Sequence, residues 1–352
     1  MKIHQKYIKR CIELAKNGLG STYPNPLVGS VIVYNDEIIG EGWHQKAGEP
    51  HAEVHAINSV KNKELLSKST IYVSLEPCSH FGKTPPCADL IIKYNIPNIV
   101  IGSLDTNEKV SGRGVKKLIE AGRNVTVGVL EEACNELNKR FFTFHEKKRP
   151  YIILKWAETA NGYIAPLHKD TKAPVWISNE YARQLSHKWR SEEQAILVGT
   201  TTVLDDNPKL DTRDWYGNNP IRIILDKSGK INTTYNVLDQ STPTIVLTEQ
   251  KNLQSTDNLI FKNCIFDSEL AQTICSIGFE FNIQSIIIEG GSQTIHTFLE
   301  FNLWDEARIF SGTSTFSEGI LAPKIEGFIK TKQSIMNDEL VILNAYDHNN
   351  TI

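Results

Sequence analysis

Short β-branched runs alternate with amphipathic segments along this chain, and that alternation constrains its fold more than any other feature. In the first half, apolar spacing predicts helices over 4–17, 52–60, 88–94 and 114–121, and strands over 27–34, 37–43, 70–74, 98–102 and 125–129. Asn35-Asp36 lies between the first two strands, as in a hairpin turn. Alternation in this order predicts a three-layer α/β domain.

A second α/β series begins at Tyr151. It is predicted to contain strands over 151–156, 195–199, 221–225, 244–248, 285–289 and 306–311, and helices over 178–190 (Ser178 as N-cap), 268–277 and 292–301. Between the two series, 131–146 is typical of a helix that runs into a linker closed by Arg149-Pro150. We therefore expect two fused domains, 1–147 and 148–352, that share no motif. The last ~25 residues carry no interpretable pattern.

The composition excludes several classes of protein. Hydrophobic residues occupy 40% of the 352 positions, which is too many for a disordered chain. A net charge of −3 argues against a broad nucleic-acid surface but leaves room for a local phosphate site. No apolar run approaches the ~18 residues of a membrane helix, and Met1 is not followed by a secretory signal. These features predict a cytoplasmic enzyme with no membrane or nucleic-acid partner.

Four residues of the first half signal chemistry most strongly: His51, Glu53, Cys78 and Cys87. One imidazole and two thiolates suit Zn²⁺ and leave a fourth tetrahedral position open for water. The two thiolates cancel the charge of the dication, so a bound water can ionise near neutral pH. Glu53 is the right neighbour to take a proton from that water and hand it to a leaving amine.

A rival metal pair is His51 and His55, one helical turn apart. The metalloprotease helix that this pair resembles requires Glu directly after the first His, whereas this chain has Ala52. The spacing of His51 and Glu53 carries its own constraint, because residues two apart lie ~200° around a regular helix. Both can face one site only at an irregular first turn.

Four motifs give the first half a family resemblance. They are Asn25-Pro-Leu-Val-Gly29, Gly40-Glu-Gly-Trp-His44, Ala47-Gly-Glu-Pro-His-Ala-Glu-Val-His55 and Leu75-Glu-Pro-Cys-Ser-His-Phe-Gly-Lys-Thr-Pro-Pro-Cys87. His-x-Glu followed by Pro-Cys and a second Cys matches the signature of zinc nucleobase deaminases. The eight residues between the two Cys resemble the deaminase domain of the bifunctional riboflavin-biosynthesis deaminase/reductase family. This resemblance implies a cytidine-deaminase-like fold. It also implies a diaminopyrimidinone ribosylamino 5′-phosphate substrate whose 2-amino group is replaced by water.

The same resemblance assigns contacts with this substrate. It implies pyrimidine and further substrate contacts at Asn25 and His44, and ribose or phosphate contacts at Asp105 and Asn107. His80 and Lys83 would add polar and cationic groups beside the zinc, where a phosphate needs a counter-charge. The alternative for Asn25, His44, Asp105 and Asn107 is a turn-forming polar residue.

Glycine motifs are weaker evidence. Ser111-Gly-Arg-Gly114 favours a loop-to-helix turn over a nucleotide-binding loop, and without G-x-G-x-x-G or a Walker sequence a Rossmann site is disfavoured. Ile286 to Thr294 is typical of a buried strand, a Gly-Gly turn and a helix start, where backbone amides can cradle a phosphate. A plain tight turn is the alternative.

A second set of motifs appears in order along the second half. They are Lys155, Trp176-Ile-Ser178, Arg190, Val198-Gly-Thr-Thr-Thr202, Asp205-Asp-Asn-Pro-Lys-Leu210, Arg213, Pro220-Ile-Arg-Ile223 and Glu289-Gly-Gly291. They resemble the reductase domain of the same family, which is similar to dihydrofolate reductase and uses NADPH to reduce the ribose to ribityl. The resemblance implies NADPH contacts at Glu158, Trp176, Thr202, Asp206, Gly290, Gly291, Ser292, Gln293 and Thr294. It implies substrate contacts at Lys155, Arg190, Leu210, Arg213 and Glu289, with Arg190 and Arg213 suited to the phosphate. Three positions depart from the family pattern: Glu158, Asn161 and Asp211.

The sequence thus predicts a two-step enzyme with zinc and NADPH as cofactors, self-associating as a dimer or tetramer. Two alternatives stay open. One is a deaminase of a free nucleoside with a degenerate second domain. The other is a non-catalytic protein with structural zinc, against which the three ligands argue, because structural zinc normally has a fourth protein ligand.

Overall fold

The computed structural model describes residues 2–79, 81, 85–105, 112–168 and 175–346. The chain divides into two compact units, Met1–Lys148 and Arg149–Ile352, one residue beyond the division expected after residue 147. Within the described ranges, no helix is both long enough and apolar enough to cross a membrane.

The first unit is built on a five-stranded sheet with the order β2-β1-β3-β4-β5. Its helices are α1 (Lys2–Ala15), α2 (Ala52–Ser59), α3 (Cys87–Lys93), α4 (Arg113–Glu120), α5 (Glu131–Leu137) and α6 (Lys139–Lys147), and its strands are β1 (Gly29–Tyr34), β2 (Glu37–Trp43), β3 (Thr70–Leu75), β4 (Asn98–Ser103) and β5 (Asn124–Thr126). β1 is antiparallel to β2 and β3, and the other pairs are parallel. Asn35 and Asp36 have φ of 48° and 63°, as the predicted hairpin turn between β1 and β2 requires.

Side chains alternate across this sheet and bury helices on both faces. Ile71 and Ile99 pack in a cluster with α2, α3 and α4. Their neighbours Tyr72 and Val100 point the other way and pack with α1 and α5. Because successive strand residues face opposite sides of a sheet, each strand serves two helical layers. The predicted three-layer domain is confirmed.

The second unit contains a nine-stranded sheet with the order β11-β10-β9-β8-β12-β6-β13-β16-β15 and a small β14-β7 sheet. Its helices are α7 (Glu180–Glu192), α8 (Thr200–Asp206), α9 (Leu270–Glu280) and α10 (Ser292–Glu300). Its strands are β6 (Tyr151–Glu158), β7 (Tyr163–Pro166), β8 (Ala195–Gly199), β9 (Ile221–Leu225), β10 (Thr244–Thr248), β11 (Leu259–Asn263), β12 (Ser285–Ile288), β13 (Glu306–Ser311), β14 (Gly319–Leu321), β15 (Phe328–Ile335) and β16 (Asp338–Asn344). The large sheet is parallel from β11 to β13, and β16 and β15 continue it antiparallel.

Helices also cover both faces of this larger sheet. Ile152 and Leu154 of β6 pack in a cluster with α9 and α10, whereas Ile153 packs with Trp189 of α7. Parallel strands covered on both faces read as continuous apolar runs, which is why β6, β8 and β12 are visible in the sequence. The carboxyl ends of these strands lie at one edge, where ligands of α/β sheets bind.

Several local predictions were wrong. The segment 131–146, predicted as a helix that runs into a linker, contains two helices, because Asn138 between them has φ −103° and ψ 18° and turns its amide to the backbone of Leu27. Asn179, and not Ser178, is the N-cap of α7, since its side chain accepts a hydrogen bond from the Ala182 amide. Within the C-terminal stretch that carried no pattern, Phe328–Ile335 and Asp338–Asn344 form the β15–β16 hairpin.

Candidate functional site

Three predicted metal ligands converge in the first unit although they come from distant parts of the chain. His51 precedes α2, Cys78 follows β3, and Cys87 is the first residue of α3. The His51 Nδ1 atom lies 3.5 Å from the Cys78 Sγ atom and 3.4 Å from the Cys87 Sγ atom. The three ligand atoms all lie within 4.8 Å of one another.

This geometry fits zinc. Bond lengths of ~2.0 Å to nitrogen and ~2.3 Å to sulfur, at tetrahedral angles, place N and S ~3.5 Å apart. The Cys87 amide donates to the Cys78 sulfur at 3.3 Å, as it would to a thiolate ligand. Hydrogen bonds from Cys87 and His51 also lower the pKa of the Cys78 thiol, which favours the thiolate form of this ligand.

The start of α2 resolves the spacing of His51 and Glu53. His51 is the N-cap, with an extended φ of −75° and ψ of 167°, so it does not follow the 100° step of the helix. Glu53 lies in the first turn and is 3% exposed. Burial raises the pKa of Glu53 to about 7, which allows it to accept and release a proton near neutrality. His55, the rival ligand, is not part of the group that could hold a metal.

Two predicted substrate contacts lie beside the metal ligands. His44 follows β2, and its ring packs edge-on against the His51 ring with 5.4 Å between centroids. The His44 Nδ1 atom is 3.1 Å from the Pro50 carbonyl oxygen, and its Nε2 atom is 3.0 Å from the Asn25 amide nitrogen. A neutral ring that donates from Nδ1 to Pro50 can accept from Asn25, and burial lowers the pKa of His44, which favours that neutral form.

The remaining predicted contacts of this unit are placed only in part. Asp105 lies just after β4 and is 7% exposed. His80, Lys83 and Asn107 lie outside the residues that the structure describes.

A cavity of about 680 Å³ opens in the second unit at the carboxyl ends of its parallel strands. Its lining includes ten of the residues predicted for the reductase: Lys155, Trp176, Arg190, Thr202, Asp206, Leu210, Arg213, Glu289, Gly291 and Ser292. Four other predicted cofactor contacts are not among the residues that line it: Glu158, Gly290, Gln293 and Thr294. His168 and Lys209 do line it, although neither was given a role from the sequence.

Three half-buried charged residues that line this cavity contact one another. Arg190 donates to Glu289 through two hydrogen bonds of 3.1 and 2.7 Å, and Lys155 lies 3.9 Å from the same carboxylate. Burial alone would raise the pKa of Glu289, but Arg190 and Lys155 lower it to about 2. Burial lowers the pKa of Lys155. Two cations that face one carboxylate can also receive an anionic ligand.

The Gly-Gly turn packs closely against β8 and α8. A Cβ on Gly290 would lie 2.6 Å from the Val198 Cα atom, so only glycine fits against β8. The Gly291 amide donates to the Thr202 hydroxyl at 3.0 Å, which fixes the turn immediately before α10. The start of α10 borders the cavity through Gly291 and Ser292.

The three departures from the family pattern have partners of their own. The Glu158 carboxylate accepts hydrogen bonds from Trp156 and Ser311. The Asn161 amide donates to the Phe316 carbonyl at 2.8 Å. Asp211 pairs with Arg213 at 2.6 Å.

Two family models match this chain, one in each half. A family model described as the cytidine and deoxycytidylate deaminase zinc-binding region matches residues 1–103. A second model, described as the RibD C-terminal domain, matches residues 150–318.

Relatives match the chain over most of its length. The riboflavin biosynthesis protein RibD of Aquifex aeolicus is 40% identical over 324 residues, which cover 91% of this chain and 89% of that protein. The protein of the same name from Bacillus amyloliquefaciens is 39% identical and covers 94% of this chain and 90% of its own length. A Thermotoga maritima crystal structure, of a diaminohydroxyphosphoribosylaminopyrimidine deaminase/5-amino-6-(5-phosphoribosylamino)uracil reductase, superposes with a TM-score of 0.87. It shares 37% identity and covers 98% of this chain and 99% of that one.

Proposed function

The chain belongs to the RibD family of bifunctional riboflavin-biosynthesis deaminases and reductases, and from this premise we propose which residues perform each reaction. We assign hydrolytic deamination to residues 1–147 and NADPH-dependent reduction to residues 148–352. The substrate is 2,5-diamino-6-ribosylamino-4(3H)-pyrimidinone 5′-phosphate, which first loses its 2-amino group and then has its ribosyl reduced to ribityl. The observation that carries the proposal is the convergence of His51, Cys78 and Cys87 beside the buried Glu53.

For the first reaction, His51, Cys78 and Cys87 would hold zinc, which when bound polarises a water molecule at its open position. Glu53 is the proton carrier: it takes a proton from the attacking water and gives it to the departing ammonia. His44 and Asn25 hold the pyrimidine next to the His51 ring, and Asp105 binds the ribose phosphate side.

For the second reaction, NADPH supplies the hydride, and the protein positions the two reactants. Trp176, Thr202, Asp206 and the Gly290–Thr294 turn would hold the cofactor. Lys155, Arg190, Leu210, Arg213 and Glu289 face the substrate, with the cations directed to its phosphate. An open-chain imine acceptor needs little acid–base help, so orientation is the main contribution of this site.

Mass spectrometry of the diaminopyrimidinone substrate, incubated with the protein, zinc and NADPH, tests both assignments together. Exchange of an amino group for an oxo group plus the gain of two hydrogens is the expected result. Exchange without reduction would show that the second unit does not catalyse reduction of this compound. Absence of both changes with zinc bound, or full activity on cytidine without NADPH, would contradict the proposal.

We also propose that the enzyme self-associates as a dimer or tetramer in the cytoplasm. β15 is an edge strand that exposes Phe328 and Ile329 by 63% and 65%, and unpaired apolar edges favour association. All six cysteines are free, which suits a reducing compartment. Light scattering after size-exclusion chromatography tests the first point, and a monomer at micromolar concentration would contradict it.

A further inference from the structure

Glu76 is a buried carboxylate that the reactions described above do not use. It lies between β3 and the Pro77-Cys78 segment and is 5% exposed. Its amide donates to the Ser103 carbonyl at 2.9 Å, so its backbone is fixed to the end of β4. A charge buried to this degree is retained only when several donors satisfy it.

Four backbone amides supply those donors. Oε1 accepts from the amides of Gly114 at 2.9 Å and Val115 at 3.1 Å, which are the second and third residues of α4. Oε2 accepts from Gly112 at 2.9 Å and from Asp105 at 3.4 Å. One side chain therefore binds two separate stretches of chain, the segment that follows β4 and the start of α4.

Gly114 gives independent evidence that the start of α4 packs closely against Glu76 and Pro77. A Cβ at Gly114 would lie 2.0 Å from the Pro77 carbonyl oxygen and 3.1 Å from Oε1 of Glu76. Any other residue would push α4 away from the segment that leads to Cys78. The Gly-Arg-Gly sequence that resembles a nucleotide loop thus serves an internal carboxylate, because Glu76 takes the amides that a phosphate would otherwise bind.

We propose that Glu76 is a positioning residue for deamination, which rests on the proposed function. By holding the Asp105 backbone and the start of α4 to the segment two residues before Cys78, it fixes the ribose phosphate side of the substrate site relative to the metal centre. Asp105 acts away from the reacting carbon, so its displacement weakens substrate and transition-state binding equally.

The test is Glu76→Gln in the full-length zinc-loaded enzyme. The amide side chain of this variant offers one acceptor oxygen, and its NH₂ group would face backbone donors. The hydrogen bonds that hold the Asp105 backbone and the start of α4 are therefore weakened. We expect KM for deamination to rise about tenfold or more with kcat changed less than about threefold. Zinc content and NADPH-dependent reduction of the deaminated compound should stay at wild-type values. The reductase of the same chain thereby reports on folding.

Asp226→Asn is the matched control. Asp226 is also buried, at 2% exposed, and accepts from the backbone amides of Lys230 and Ile231 at 2.9 Å each, but it belongs to the second unit. This variant should leave the KM of deamination unchanged. Glu76→Asp, which keeps the charge on a shorter side chain, decides the question if Glu76→Gln does not fold, and it should raise KM with zinc retained.

An unchanged KM in the folded Glu76 variants would overturn this inference but leave the proposed function intact. Loss of zinc and kcat together, without a change in KM, would also overturn it, since Glu76 would then support the metal centre as a whole. A wild-type enzyme that does not deaminate the compound would remove the proposed function and this inference with it.

Discussion

Burial and a helix start determine what Glu53 can do. Glu53 is 3% exposed and lies in the first turn of α2, next to the cap residue His51. A solvent-exposed glutamate, with an ordinary pKa near 4.3, is ionised at neutral pH and has no proton to donate. Burial raises this pKa, so the carboxyl can both accept and release a proton near neutrality. The sequence predicted this pair from its spacing but could not show that His51 stands outside the helix.

Glu53→Gln should abolish proton transfer and leave the metal site intact. The amide is nearly isosteric but carries no proton between water and the leaving amine, so we expect deamination to fall about 10²–10⁴-fold. Ammonia release and zinc content per chain are the two measurements. Loss of zinc in this variant would contradict the role assigned to Glu53, because the residue would then be holding the metal site together.

At the scale of elements, the strands were easier to predict than the turns and caps between them. Buried strands such as β6 and β12 are apolar throughout because both faces are covered, and their limits follow from composition. The break at Asn138 was not visible, since it depends on hydrogen bonds to Leu27, which lies 111 residues away. β15 was missed because its residues are mostly exposed and carry no alternation.

α7 buries a histidine whose charge the fold does not accommodate. His187 is 2% exposed, and its pKa is lowered from an ordinary 6.5 to about 4 by burial and by the cations Arg190 and Arg213, although Asp214 and Glu289 oppose them. The unfolded chain therefore binds a proton at a higher pH than the native chain. This contribution to stability is complete above pH 6.5 and is lost as the pH falls toward 4.

We expect the free energy of unfolding of the second unit to fall by up to about 1.4 kcal/mol per pH unit in this window from His187 alone. His187→Gln should remove that part of the slope. Tryptophan fluorescence is a suitable probe, because every Trp except Trp43 lies beyond residue 148. Equal slopes for the two proteins between pH 6.5 and 4 would contradict the effect of His187.

At the scale of the whole molecule, the candidate metal ligands and the residues that line the cavity belong to different units. The three candidate metal ligands belong to Met1–Lys148, whereas all residues that line the described cavity belong to Arg149–Ile352. Neither set takes a side chain from the other unit among these residues. The two reactions should therefore respond independently to loss of a cofactor.

Removal of zinc with a chelator should stop deamination and leave reduction unaffected. We expect ammonia release to fall to background and to return when zinc is added back, because the candidate metal group of the described residues belongs to the first unit. NADPH consumption with the deaminated compound as substrate should stay at the untreated rate. A parallel loss of both activities would show that the metal supports the structure of the whole chain.

By itself the sequence determined the family and the two α/β domains and predicted the metal ligands, because ligand chemistry and apolar periodicity depend on residue type and spacing. Tertiary structure alone decided how those residues meet. It placed His51 outside the helix, tied Arg190 to Glu289 across 99 positions, and turned Glu76 onto the amides of α4. The physical reason is that burial and hydrogen-bond partners come from segments far apart in the chain, and no local pattern records which segments will pack together.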